Sequence, residues 1–261
     1  MKVDLNQKHA LVGGSSRGIG EAIARQLALS GARVTLVARS EDRLKELTGE
    51  LSRQTGLEHR YLVTDYTDVA AYQKALTDYV QQYPVDILVN NTQGPPAGTS
   101  LEMQTADYQA AFDLLFQSVV HTTLQVLPHM QEQQWGRILN VASVSVKEPL
   151  GYLALSNSIR SAVVSWGKTL AADVGAFGIT VNSVLTGYFD TERLRSLNAA
   201  KARNLGIAED QVLDRLKAQV PMGRLGKPEE YGYLAAFLAS EYAGYLTGAV
   251  IPLDGGLLRS Y

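Results

Sequence analysis

The 261 residues include 24 basic and 26 acidic side chains, a net charge of −2, 46% hydrophobic residues, 23 glycines and no cysteine. That balance argues against a polybasic nucleic-acid or membrane-surface binder, and the apolar content argues against a disordered chain. The missing thiols exclude disulfide scaffolds, thiolate metal centres and a cysteine nucleophile. The four histidines lack ligand spacing, so no metal is expected. No uncharged apolar run approaches the roughly 20 residues of a spanning helix, and the first residues are polar where a signal peptide has an apolar core. The expectation is a soluble cytoplasmic protein with no membrane or nucleic-acid partner.

From the N-terminus, the first buried strand is predicted at His9–Gly13, and it runs directly into Gly13-Gly14-Ser15-Ser16-Arg17-Gly18-Ile19-Gly20. A helix is predicted over Gly18–Ser30. Glycines here permit a tight turn and let the backbone approach a pyrophosphate, while the helix N-terminus offers free N–H groups and a positive dipole end. Gly14, Ser15, Ser16, Arg17, Gly18, Ile19 and Gly20 are therefore candidate cofactor contacts; a purely structural turn is the other reading.

The second strand, Ala32–Ala38, ends without the acidic residue that NAD-selective sites use to hold ribose hydroxyls. Arg39 and Ser40 follow Ala38, and Arg17 lies in the glycine turn. Two guanidiniums there would clamp a 2′-phosphate through charge-assisted hydrogen bonds, so NADP(H) is expected in preference to NAD(H). As solvated loop residues the two arginines would carry no such meaning.

The pattern continues with a helix at Glu41–Gln54, a strand at Arg60–Thr64, a helix at Asp68–Gln82 and a strand at Val85–Asn90. A long helix at Ala106–Gln133 precedes a strand at Arg137–Ser143, and a second at Gly151–Ala176 precedes a strand at Ile179–Leu185. A helix at Pro228–Ser240 and a strand at Ala249–Leu253 complete the chain. This alternation predicts an α/β, Rossmann-like doubly wound sheet of about seven parallel strands with helices on both faces, one domain across 1–261. Between residues 191 and 219 lie two short amphipathic helices split near Gly206, with Leu194, Leu197, Val212 and Leu216 on their apolar stripes. An insertion after a strand's C-terminal end lies over the ligand crevice, so it reads as a substrate lid; a packing subdomain or oligomer contact is the alternative.

Together these residues resemble the short-chain dehydrogenase/reductase family, nearest its 3-oxoacyl-carrier-protein reductase branch. The marks are Gly14–Gly20, Asp65, Asn90-Asn91, Gly136-Arg137-Ile138, Gly178-Ile179-Thr180-Val181-Asn182, Pro221-Met222-Gly223-Arg224, Gly226-Lys227-Pro228-Glu229-Glu230 and Thr247-Gly248 through Asp254-Gly255-Gly256. The resemblance implies that Asp65, with Tyr66, meets the adenine and that Asn91 lies by the adenosine-side ribose, followed by Thr92 and Gln93. It implies that Thr186–Thr191, including Gly187 and Phe189, wraps the nicotinamide carboxamide. Two loops depart from the family pattern. Asn90-Asn91-Thr92-Gln93, with Gly94 after it, replaces Asn-Asn-Ala-Gly, and Thr186-Gly187 replaces Pro-Gly. The resemblance also implies a homo-oligomer, tetramer or dimer, with the two long helices pairing between subunits.

The catalytic positions depart further. In the family a serine follows the fifth strand, a tyrosine comes 13 residues later, a lysine four beyond that, and an asparagine sits in the preceding helix. Here the serine is Ser143, but the others fall on Ser156, Arg160 and Leu115. Carbonyl reduction needs a hydride and a proton; a lysine-assisted tyrosine can be tuned towards neutrality, whereas a serine hydroxyl cannot and an arginine is no practical proton shuttle. Arg160 could hold the nicotinamide ribose or an anionic substrate group. Tyr152, Lys147, Tyr188 or a bound water are the candidate proton sources; each side chain is otherwise a pocket wall, a surface partner of Glu148, or core packing. The expected activity is an NADP(H)-dependent, 3-oxoacyl-reductase-like oxidoreductase acting on a small carbonyl or secondary alcohol, an acyl thioester among the options. A nucleotide-binding sensor or scaffold without turnover, and a lyase or isomerase, are the alternatives.

Overall fold

Continuous runs of Val, Ile, Leu and Ala, too apolar to face water on either side, become seven parallel strands. They are β1 (His9–Gly13), β2 (Arg33–Ala38), β3 (Arg60–Val63), β4 (Ile87–Asn90), β5 (Gly136–Ser143), β6 (Ile179–Thr186) and β7 (Val250–Leu253). The computed structural model, which describes residues 2–260, arranges them in the order β3-β2-β1-β4-β5-β6-β7. β1 pairs with both β2 and β4, so the winding reverses there and leaves a crevice beyond the carboxyl ends of the strands.

Nine α-helices surround the sheet among the described residues: α1 (Gly18–Leu29), α2 (Glu41–Thr55), α3 (Val69–Gln82), α4 (Thr105–Phe112), α5 (Ser118–Glu132), α6 (Ala154–Val174), α7 (Glu192–Leu205), α8 (Glu209–Gln219) and α9 (Pro228–Ala239). α1, α2 and α9 bury Ile23, Leu27, Leu44 and Leu238 against Val12, Val34 and Leu36. On the opposite face α3, α5 and α6 bury Leu76, Leu127 and Leu170 against Leu11, Leu88 and Ile138. The doubly wound architecture expected from the sequence is the one observed.

Two helices differ from expectation near the crevice. The predicted helix Ala106–Gln133 is α4, a π-helical turn at Asp113–Gln117, and α5. Such turns insert one residue and recur at functional sites; this one carries Leu115, which is 2% exposed. The helix predicted from Gly151 begins at Ala154. Leu153 instead bridges Gly98, and the Gly98 N–H donates to the Tyr152 carbonyl at 2.8 Å. Tyr152 therefore does not share a helical face with Ser156. The 191–219 segment is helical as expected: Gly206 breaks it at φ +63°, and the Thr191 hydroxyl caps α7 by accepting the Leu194 N–H at 3.2 Å. No helix among the described residues is long and apolar enough to cross a membrane, and no group of His, Asp and Glu there could hold a metal.

Candidate active site

The turn after β1 is built around glycine. Gly18 opens α1 with φ +59°, and a Cβ on Gly20 would collide with the Gly14 carbonyl oxygen. Asn91, at the end of β4, donates its side-chain amide to the carbonyls of Gly13 and Gly14 at 3.0 and 3.3 Å, fixing the turn to the crevice floor. Arg17 precedes α1 with extended backbone, and no side chain caps the helix. The first N–H groups of α1 are thus left for an anion, an arrangement that fits a dinucleotide pyrophosphate. Ser15 is fully buried, and its hydroxyl accepts the Val37 N–H at 2.9 Å. It ties the turn to β2 and offers no free side chain to a ligand.

At the adenosine end, Arg39 lies 3.6 Å from the Asp65 carboxylate. Burial works against ionisation of Asp65, but hydrogen bonds from the Thr67 N–H and hydroxyl, with the Arg39 charge, hold its carboxyl below the ordinary value. Arg17 pairs with Glu192 of α7 at 2.5 Å, and both side chains are well exposed. Ser40 leads into α2 without a side-chain cap bond. Tyr66 packs on Tyr72 at 4.6 Å between ring centroids, with its hydroxyl beside Gly13. Thr92 and Gln93 continue from β4 in irregular, half-buried backbone.

Arg43 escaped the sequence reading. Its guanidinium reaches the Ser16 carbonyl at 3.3 Å and both Glu21 oxygens at 3.0 and 3.1 Å, beside the glycine turn. The available signal was its place one helical turn beyond Arg39, in the first turn of α2.

The reacting end is formed by β5, β6, α6 and α7. Ser143 ends β5 in register with Thr186, and its hydroxyl accepts the Ser145 N–H at 3.1 Å. Ser156 and Arg160 stand one turn apart on α6. The Arg160 guanidinium donates to the Val141 carbonyl at 2.6 Å. Burial pulls its pKa below the ordinary arginine value; the Tyr231 phenol opposes this and the charge of Arg193 adds to it.

The candidate acids are dispersed. Tyr152 is half-exposed at the rim, with the Lys201 amine 5.5 Å from its ring centre. Burial raises its pKa. Tyr188 donates to the Gln219 side-chain oxygen at 3.4 Å, and burial pushes it up to about 12. Lys147 is exposed, and Glu148 instead accepts the Arg259 and Ser260 N–H groups. Neither phenol carries the lowered pKa of an activated acid. The Phe189 ring is 4% exposed and lies edge-on to Tyr231 in the core. The Gly187 N–H donates to the Leu253 carbonyl at 3.1 Å, and Thr191 leans on Gly18.

Residues 14–258 match the family model described as enoyl-(acyl carrier protein) reductase. The chain belongs to the short-chain dehydrogenase/reductase family. Within it, the chain is 34% identical over 251 residues to 3-oxoacyl-[acyl-carrier-protein] reductase FabG of Escherichia coli, covering 96% of this chain and 97% of that one. It is 37% identical over 258 residues to oxidoreductase UcpA of Salmonella typhimurium, covering 97% and 95%. The L-sorbose reductase of Gluconobacter frateurii, solved with NADPH and L-sorbose, superposes with a TM-score of 0.94 at 30% identity over the whole of both chains.

Proposed function

We propose that this family member is an NADP(H)-dependent oxidoreductase of a small carbonyl compound or secondary alcohol, with a proton route that bypasses the tyrosine–lysine pair usual in its family. The carrying observation is the cationic end of the crevice. Arg39, with Arg17 and Arg43 near it, stands beside an uncapped α1, and Ala38 occupies the place of a ribose-binding carboxylate. The solved reductase with NADPH supports the same cofactor.

When bound, the dinucleotide supplies or accepts the hydride. The α1 N–H groups of Gly18, Ile19 and Gly20 hold the pyrophosphate. Arg39 and Arg17 exchange Asp65 and Glu192 for the 2′-phosphate. Exposed ion pairs of this kind are worth only about 0–1 kcal/mol, less than charge-assisted bonds to a phosphate. Asn91 keeps the turn in place, and Thr186–Thr191 would hold the nicotinamide end.

Ser143 donates its hydroxyl to the substrate oxygen. Arg160 keeps its proton at any working pH, even with a lowered pKa, and so orients and neutralises without shuttling. The proton at the reacting oxygen therefore travels through water held by Ser143 and Ser156. Tyr188 remains a protonated wall. The resemblance to the acyl-carrier-protein reductases supports a 3-oxoacyl-like substrate, thioester included.

The test is fluorescence titration of NADPH and NADH against the wild type and Arg39→Ala. NADPH is expected to bind at least tenfold more tightly than NADH, and the variant to lose most of that ratio. Equal affinities, or an unchanged ratio in the variant, would contradict the cofactor assignment.

A further inference from the structure

We propose that Arg160 and Arg193 form an oxyanion site on the substrate side of the crevice, and that the substrate carries a carboxylate close to its reacting carbonyl or hydroxyl carbon. This deepens the oxidoreductase reading and rests on it.

Of the fifteen arginines, eight have a carboxylate within ion-pair distance. Of the seven others, Arg33, Arg53, Arg203, Arg215 and Arg259 are exposed, where none is needed. Arg160 alone, among the described residues, is withdrawn from solvent without one. A guanidinium has five N–H donors. Arg160 gives one hydrogen bond to protein, to the Val141 carbonyl, and its remaining nitrogens are not sealed in the core.

Arg193 approaches from the lid. Its guanidinium packs over Gly94 and donates to the Pro95 carbonyl at 3.0 Å, just beyond the end of β4. The carboxylates on either side of it in sequence are engaged elsewhere: Asp190 with Arg195, and Glu192 with Arg17. Arg193 is therefore anchored by a carbonyl but not neutralised. Arg160 is held on β5 and Arg193 just past the end of its neighbour β4, close enough that the charge of Arg193 bears on Arg160. Two converging cations without a counter-ion disfavour each other. A carboxylate between them relieves that and satisfies the planar forks. A neutral ketone or sugar would not.

The other source of such an anion is the cofactor's pyrophosphate, and the experiment separates the two. Protein loaded with NADP⁺, so that nothing turns over, is titrated calorimetrically with pyruvate, acetoacetate and 2-oxoglutarate, each beside its fully methylated ester. The proposal expects an acid to bind at least tenfold more tightly than its ester. Arg193→Gln, at an exposed position, should erase that preference while changing NADP⁺ affinity less than twofold. Arg160→Lys, which keeps the charge but not the fork, should reduce the preference several-fold. Esters that bind as well as their acids in all three pairs would overturn it. So would a tenfold loss of NADP⁺ affinity in Arg193→Gln, which assigns the anion to the pyrophosphate. Failure of the wild type to bind NADP⁺ would instead sink the oxidoreductase reading itself.

Discussion

At the residue scale, a guanidinium on α6 limits what the crevice can do with a proton. Arg160 reaches the Val141 carbonyl on β5 and stays charged there, so it can hold an anion but cannot relay. The Ser143 hydroxyl is already placed by the turn that follows β5. Ser143→Ala should lower kcat about 100-fold, with NADPH affinity within twofold of wild type, read by steady-state kinetics and fluorescence titration. A kcat within threefold of wild type would remove Ser143 from the chemistry.

A second residue-level consequence concerns acid stability. His59 is 5% exposed; its Nδ1 accepts the Val34 N–H at 3.0 Å, and its Nε2 lies 2.8 Å from the Thr55 hydroxyl. A ring used as an acceptor must be neutral, and burial holds its pKa below the ordinary histidine value, as it does for His9. Both groups bind protons more readily unfolded, so their contribution is complete above about pH 6.5 and is lost as pH falls towards the depressed folded values. The urea midpoint should fall from pH 7.5 to 5.5 by the equivalent of about 1 kcal/mol, and less steeply in His59→Gln. A midpoint equally steep in both proteins would contradict the role of His59.

At the scale of elements, strands buried on both faces and the glycine turn were legible because their patterns are local. The π turn at Asp113–Gln117 was not, since one added residue leaves the apolar periodicity almost intact. The start of α6 was missed because the Gly98–Leu153 bridge, not propensity, delays the helix to Ala154 and leaves Tyr152 in the turn before it. Arg17 and Arg39 were legible as cations of the crevice, but their partners, Glu192 and Asp65, are 175 and 26 positions away in the chain and beyond any spacing argument. The same holds for the Ser15–Val37 tie and the burial of the Phe189 ring.

The two helices of 191–219 were legible from their amphipathic stripes and Gly206, and the capping of α7 supplies a test of the proposed lid. Thr191→Ala removes the side-chain acceptor for the Leu194 N–H, worth about 1 kcal/mol. Amide hydrogen exchange across 192–205 should accelerate about fivefold, while exchange in β5 stays unchanged. Unchanged exchange in α7 would mean that the cap does not hold the lid.

For the whole molecule, one sheet with both faces covered places every candidate group at the carboxyl ends of the strands, beside the reversal at β1 and β4. On the outer side of α4–α6 some apolar groups stay uncovered among polar ones: Leu124 is 53% exposed, and the half-buried Phe112 stacks on Phe116 at 5.0 Å, which meets Trp166 edge-on. That face suits the pairing of long helices between copies. Leu124→Glu should shift the mass by light scattering from an oligomer towards the monomer of 28.3 kDa. A wild type that is already monomeric would contradict the oligomer.

What decides the proposed activity is whether this crevice moves a hydride. NADPH deuterated at nicotinamide C4 should be incubated with oxo acids, simple ketones and 3-oxoacyl thioesters, and the products read by mass spectrometry. An alcohol one mass unit heavier is expected from at least one oxo acid, formed only with enzyme. NADPH that binds tightly yet transfers no deuterium to any of these substrates would contradict it.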